Sequence, residues 1–168
     1  PPCVDVFVTY KAEDAYPKLV GRLLASGPFG EHRAHYWRDA ARYADTNGFH
    51  YDNYREMWPY RDWVIQAFNR NLPYDKFIVE QLAGDLLPNP TLDQLIASGF
   101  NRNHSTTSAN GVIEEEMAVM YVKARADTHA AVFMGLTAAC PPCPAPQFYQ
   151  RSPKHQPAPE PLLTNPTR

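Results

Sequence analysis

The 168-residue sequence has few cysteines and no long apolar run. Its three cysteines, Cys3, Cys140 and Cys143, are too few for a disulfide framework and leave the redox compartment open. No stretch approaches the roughly 18 to 20 consecutive apolar residues that cross a membrane. The formal net charge of -2 gives no general attraction for nucleic acid. We therefore expect neither a membrane span nor a nucleic-acid partner.

Several signatures of well-known chemistry are missing as well. The sequence has no P-loop, no dinucleotide fingerprint and no G-x-S-x-G elbow. A structural zinc site needs four ligands, and no second cysteine pair accompanies Cys140 and Cys143. No metal-binding spacing joins the histidines, which are His32, His35, His50, His104, His129 and His155. The sequence therefore names no common reaction class.

The middle of the chain carries helical periodicity. We predict helices at about 14–25, 31–44, 59–71, 74–87, 91–99 and 113–136. Asp14 is a candidate N-cap for the first helix, whose leucines should form a packing face. Thr91 and Gln94 have the spacing of a capping box. Because only the first ten residues carry any strand-like pattern, the chain is predicted to be mainly α, with about five to six helices in a single domain.

A sharp change of composition divides the chain near Cys140. Nine of the 28 residues from 141 to 168 are proline, against eight in the preceding 140. Proline at that density opposes helices and sheet pairing, so the tail is predicted to be disordered. We expect a helical domain at 13–138, a C-P-P-C and proline-rich tail at 139–168, and an N-terminal segment at 1–12. The start at Pro1 indicates a fragment of a longer chain.

Four motifs in order carry a family resemblance. They are "ARYADTNGF", "WPYRDWVIQAFN", "PYDKFIVEQLAGDLLP" and "GFNRN". Over roughly residues 15 to 143 the chain resembles a planctomycete family of secreted proteins, a domain of unknown function often found with cytochrome c-type modules in one long chain. The resemblance implies a mainly helical fold, an extracytoplasmic location, and partners among the cytochrome c-type and other domains of the same chain.

The same resemblance implies haem c in intact relatives, attached through a C-x-x-C-H motif. Cys140 and Cys143 match the two thioether positions, but Pro144 stands where the axial histidine belongs. A shifted reading frame after Cys143 and a true variant with a proline-rich tether both explain this departure. We therefore expect an electron-transfer-related module whose own haem attachment is impaired.

The polar loop between the second and third predicted helices is a second candidate site. Asp45, Asn47 and Asp52 offer oxygen ligands of the kind that Ca2+ prefers, although turn formation around Gly48 explains the same residues. Tyr51, Tyr54 and Trp58 are candidate ligand contacts that could stack on a sugar ring, whereas dense aromatics more often form a core. The alternative function is thus carbohydrate-related binding or scaffolding through residues 45–58.

A third hypothesis is an uncharacterised hydrolase that uses paired carboxylates. The available acids are Asp39, Asp62, Glu80, Asp85 and Asp127. The competing interpretation is ordinary ion pairing, with Asp39 bound to Arg42 and Asp62 to Arg61. Sequence gives no distance between the acids, so both interpretations stay open at this point.

Overall fold

The fold consists of α-helices joined by turns and by two longer loops, one before the fourth helix and one before the seventh. The computed structural model describes residues 2–49, 51–108 and 111–136, without the side chains of residues 2 and 3. Those ranges contain seven α-helices: α1 (Pro2–Thr9), α2 (Ala15–Leu24), α3 (Gly27–Ala40), α4 (Trp58–Asn69), α5 (Tyr74–Ala83), α6 (Leu92–Ala97) and α7 (Glu114–Met134). Two 3-10 turns, Gly84–Leu86 and Ser98–Arg102, follow α5 and α6. The prediction of a mainly α single domain is confirmed.

Several helix ends lie where the sequence predicts them. The Gln94 N–H donates to Thr91 Oγ1 at 3.3 Å and the Thr91 N–H donates to Gln94 Oε1 at 3.0 Å, which completes the capping box of α6. Pro59 lies in the first turn of α4, where its missing N–H costs no helical hydrogen bond. Gly135 ends α7 with a φ of 63°, a left-handed conformation that glycine adopts without strain.

Other predicted boundaries are wrong. The first residues form helix α1 rather than a strand. Helix α3 begins at Gly27 instead of Glu31, because Pro28 starts its first turn, and it ends at Ala40 instead of Ala44. Asp14 makes no capping hydrogen bond at the start of α2. Its carboxylate instead lies 2.7 Å from Lys18 Nζ.

The core is an aromatic cluster between α3, α4 and α5. Trp63 stacks on Phe77 with ring centroids 5.5 Å apart, and Trp37 meets Phe77 edge-on at 4.7 Å. Trp63 is buried in this core, and the partly buried Trp37 packs against it. The buried apolar side chains are Ala34, Ala41, Met57, Tyr60, Trp63, Val64, Ala67, Phe77, Ala97 and Phe100.

A polar network inside this core fixes the helices relative to one another. The Oε1 atom of fully buried Gln81 accepts from Tyr60 OH at 2.7 Å and from Trp37 Nε1 at 2.9 Å. Both donors are thereby satisfied, as buried polar groups need to be. Gly30 lets α3 approach α4 closely, because its N–H donates to Asn69 Oδ1 at 2.8 Å and a Cβ there would lie 2.5 Å from the Asn69 side chain.

Helix α2 differs from the prediction of a packing helix. None of its residues is buried, and Leu23 and Leu24 are 53% and 52% exposed. The expected apolar face is present, but the described part of the chain covers it only partly, with Leu19 and Val20 half-buried. Within the same residues, no helix is both long and apolar enough to span a membrane.

Candidate functional site

The loop between α3 and α4 folds back on itself. An antiparallel bridge joins Thr46 to Tyr54, and the Asn47 N–H donates to the Asn53 carbonyl at 2.9 Å. Where the two halves of the loop meet, the Arg55 N–H donates to the Asp45 carbonyl at 2.9 Å. The loop is thus an ordered feature held by backbone hydrogen bonds.

A second loop, residues 103–108, braces the first. The Thr106 N–H donates to the Asn47 carbonyl at 2.9 Å, and Thr106 Oγ1 donates to Asn47 Oδ1 at 3.1 Å. The Asn53 side-chain amide donates to Ser108 Oγ at 2.7 Å. We call residues 42–57 and 103–108 the paired loops, because these bonds make them one surface.

The structure gives the three predicted cation ligands different local partners. Asp45 Oδ2 accepts from Tyr43 OH at 2.7 Å, and Asn47 Oδ1 accepts from Thr106. Hydrogen bonds from the Thr46 side chain and from the Gly48 N–H lower the pKa of Asp52. No group of three His, Cys, Asp or Glu side chains that could hold a metal occurs in the described ranges. The geometry is that of turn chemistry, and cation binding stays a prediction.

The three predicted ligand contacts all face solvent. Tyr51 and Tyr54 are 79% and 67% exposed on the first loop, and Trp58, the first residue of α4, is 46% exposed. Large aromatic side chains are costly to leave in water, so an exposed group of them is a common mark of a binding surface. Whether they bind a ligand stays a prediction.

A cationic cluster that the sequence did not indicate lies behind the paired loops. Arg55 donates from Nη1 to the His104 carbonyl at 3.0 Å and from Nη2 to the Asn103 carbonyl at 3.3 Å. Arg125, on α7, is only 6% exposed, and its Nε has no hydrogen-bond partner. Arg125 follows Tyr121 by four residues, so helical spacing places it on the inward side of α7. That spacing was the signal in the sequence for a buried Arg125, but the charge of arginine argued against burial.

Burial near these arginines keeps two histidines neutral. Burial, together with the charges of Arg125, Arg55 and Arg102, lowers the pKa of His104 to about 4, against a hydrogen bond to the Asn101 carbonyl that raises it. Burial also lowers the pKa of His129. The space lined by His104, Arg125 and His129 has no room for a water molecule, so this is a closed part of the core rather than a ligand site.

An open cleft of about 310 Å3 lies beside the paired loops. It runs between the start of α4, the turn after α5 and the segment after α6. Its lining combines charged, polar and apolar side chains, among them Glu56, Met57, Asp85, Ile96, Asn101 and Arg102. No sequence pattern indicates this cleft, because residues far apart in the chain form it.

The candidate catalytic acids do not converge. Four of them lie in separate ion pairs: Asp39 with His35 at 3.8 Å, Asp62 with Arg61 at 2.9 Å, Glu80 with Arg70 at 3.8 Å and Asp127 with Lys123 at 3.1 Å. The predicted Asp62–Arg61 pair is confirmed, and Asp39 pairs with His35 in place of Arg42. Only Asp85 lines the cleft. The hydrolase hypothesis stays a prediction.

Cys140, Cys143 and His50 lie outside the described residues. The described part presents the paired loops, three exposed aromatic side chains and the open cleft. Its architecture defines the class of protein as a mainly α-helical single domain.

The family follows from the sequence. Residues 1–152 match the sequence model of PSCyt2, described as a protein of unknown function (DUF1549), so the chain belongs to this family. The match is longer at both ends than the resemblance over residues 15 to 143, and it includes Cys140 and Cys143. No curated protein and no solved structure shows a significant match to the chain.

Proposed function

We propose that the chain is an extracytoplasmic, electron-transfer-related module that works with cytochrome c-type and other domains of a longer protein, and that its own haem attachment is impaired. The observation that carries the proposal is the cysteine pair itself. Cys140 and Cys143 have the spacing of the two haem-attaching thiols and lie inside the family match.

The residues present do not fit complete haem ligation. Covalent attachment uses two thiols, and the histidine beside the second one ligates the iron. Pro144 occupies that position and has no ligating atom. The buried imidazoles of His104 and His129 are no substitute, since the space they line does not admit even a water molecule. In this proposal the haem therefore belongs to a cytochrome domain of the longer protein.

The test is restoration of the missing ligand. The full chain and its Pro144→His variant would be expressed with cytochrome c maturation machinery, and haem that resists acid-acetone extraction would be measured by its Soret band. We expect no retained haem in the wild type and retained haem in Pro144→His. A Pro144→His chain that also carries Cys140→Ser and Cys143→Ser is the control and should retain none.

Two results would count against the proposal. If Pro144→His retained no more haem than its cysteine-free control, the cysteine pair would not derive from an attachment site. If the wild type retained haem, the part of the proposal that concerns impaired attachment would be wrong.

A second candidate function is carbohydrate-related binding through residues 45–58. The observation that favours it is the exposure of Tyr51, Tyr54 and Trp58 on a loop that is otherwise held by hydrogen bonds. A fixed aromatic platform can stack on a sugar ring with little loss of conformational entropy. A glycan array would test this, with a Tyr51→Ala, Tyr54→Ala double variant expected to lose the signal. A flat array for the wild type would rule it out.

A further inference from the structure

The open cleft next to the paired loops has the size of a small-ligand site. Its volume of about 310 Å3 is at the lower end of the range of roughly 300 to 1,000 Å3 that is typical of such sites. Residues on both sides of the first loop's end, Glu56 and Pro59, belong to its wall. Trp58, one of the predicted aromatic contacts, lies between them in the sequence and is itself exposed.

The wall of the cleft is amphipathic. Met57, Pro59, Leu95 and Ile96 supply an apolar part, and a separate group of side chains supplies charge and hydrogen bonds. A ligand that matches both parts needs an apolar face and several hydroxyl groups. A pyranose ring has this combination, because its C–H groups line one face and its hydroxyls point outward.

The polar side chains offer both donors and acceptors. The carboxylates of Glu56 and Asp85 accept hydrogen bonds, and the guanidinium of Arg102 donates them. The Asn101 side-chain nitrogen donates to the carbonyls of Gln81 and Leu82 at 3.3 and 3.2 Å, which fixes the orientation of its amide. A hydroxyl both donates and accepts, so a polyol can match the carboxylates and the guanidinium alike, whereas a simple ion would use only groups of one sign.

The backbone around the cleft is rigid, which favours a preformed site. Gly99 lies in the cleft wall, and a Cβ at this position would be 3.3 Å from Tyr60 Cβ, so the absence of a side chain lets the segment approach α4. Tyr60 is itself fixed by its hydrogen bond to Gln81. A preformed wall reduces the entropy that binding costs.

We propose that this cleft binds a neutral sugar unit, one or two rings in size, through Glu56, Asp85 and Arg102, with its apolar wall against the ring face. The inference rests on the second candidate function, carbohydrate-related binding. It places the sugar in the cleft next to the loop and not on the loop alone. It is independent of the cysteine pair and of haem.

The experiment uses the full chain, a glycan array of neutral saccharides, and calorimetric titration of the best hit. Glu56→Gln and Arg102→Gln each change a solvent-exposed side chain, so both variants should fold. Each is expected to weaken binding at least tenfold. Glu31→Gln and Arg22→Gln change exposed residues outside the cleft lining and should bind like the wild type.

The outcomes separate the cleft from the loop. If the glycan signal vanished in the Tyr51→Ala, Tyr54→Ala variant but stayed unchanged in Glu56→Gln and Arg102→Gln, the cleft proposal would be wrong and the loop function would stand. If no neutral saccharide bound the wild type, both the cleft proposal and the loop function would be wrong. Tight binding of amines or simple anions in the cleft, without saccharide binding, would also overturn the proposal.

Discussion

Helices α4 and α2 have similar lengths and very different surroundings. Four residues of α4 are buried, Tyr60, Trp63, Val64 and Ala67, whereas none of the ten residues of α2 is. Both sequences carry a recognisable apolar face. An apolar pattern shows which side of a helix would pack, but burial also requires a partner that fits, and α4 has one because Gly30 of α3 allows close approach.

The largest expected effect contrasts an aromatic residue of the core with a leucine of α2. Phe77 is 5% exposed and contacts the rings of Trp37, Trp63 and Phe68. Phe77→Ala removes these contacts and leaves a cavity, so it should lower the free energy of unfolding by about 3–5 kcal/mol. Leu24→Ala should change it by less than about 0.5 kcal/mol, because Leu24 is half exposed already.

Urea unfolding followed by circular dichroism measures both variants. If Phe77→Ala and Leu24→Ala lowered the free energy of unfolding equally, the contrast between the buried core and the exposed α2 would be wrong. They would show that α2 is packed against something in solution and that the two helices are alike.

The sequence could predict local features of the fold because their causes are local. The capping box of Thr91 and Gln94, the start of α4 at Pro59 and the end of α7 at Gly135 each depend on a few neighbouring residues. Whether α2 is buried depends on the shape of other helices. That information is spread over the chain and is not present in the periodicity of residues 15–24.

The candidate site was predictable in part for the same reason. The sequence predicts Tyr51 and Tyr54 as candidate ligand contacts, with packing in a core as the alternative, and the structure places both in solvent. The cleft was not predictable, since Glu56, Asp85 and Arg102 meet only after α4, α5 and α6 have packed. Long-range contacts of this kind leave no signature in a single sequence.

Two glycines extend the comparison between the core and α2, because replacing each with alanine should change the free energy of unfolding in opposite directions. Gly84 is buried between α5 and α6, and a Cβ there would clash with the Gln94 carbonyl oxygen. Gly84→Ala should therefore lower the free energy of unfolding by about 1–3 kcal/mol. Gly21 of α2 has no neighbour within 4 Å of its Cβ position, so Gly21→Ala should raise it by up to about 1 kcal/mol through helix propensity.

Thermal and urea unfolding of the two alanine variants provide the measurement. A stabilising Gly84→Ala would mean that α5 and α6 are less closely packed than described. A destabilising Gly21→Ala would mean that α2 has a close neighbour in solution.

Acid should weaken the part of the core around His104. The folded protein keeps His104 neutral down to its pKa of about 4, whereas the unfolded chain takes up a proton near the ordinary value of 6.5. Between these values the unfolded state binds more protons, so the free energy of unfolding falls as the pH falls from 6.5 towards 4. After allowance for partial solvent screening, the loss should reach about 2 kcal/mol.

The pH dependence is measured as the urea midpoint at several pH values. His104→Gln should flatten the slope between pH 6.5 and 4, and His32→Gln, which changes an exposed side chain, should leave it as in the wild type. An unchanged slope in His104→Gln would assign the acid sensitivity to other groups.

The smallest expected effect compares the starts of α6 and α2. Thr91→Ala removes a hydrogen bond to the Gln94 N–H that no other group replaces, so it should lower the free energy of unfolding by about 1 kcal/mol. Asp14→Ala removes no cap, only an exposed pair with Lys18 and an exposed hydrogen bond from Tyr10, and should cost less. The urea midpoints of the two variants, at an unchanged dependence of the free energy of unfolding on urea, would distinguish these effects. An Asp14→Ala loss as large as that of Thr91→Ala would show that Asp14 caps α2 in solution, and α2 would then be stabilised locally in the same way as α6, without burial.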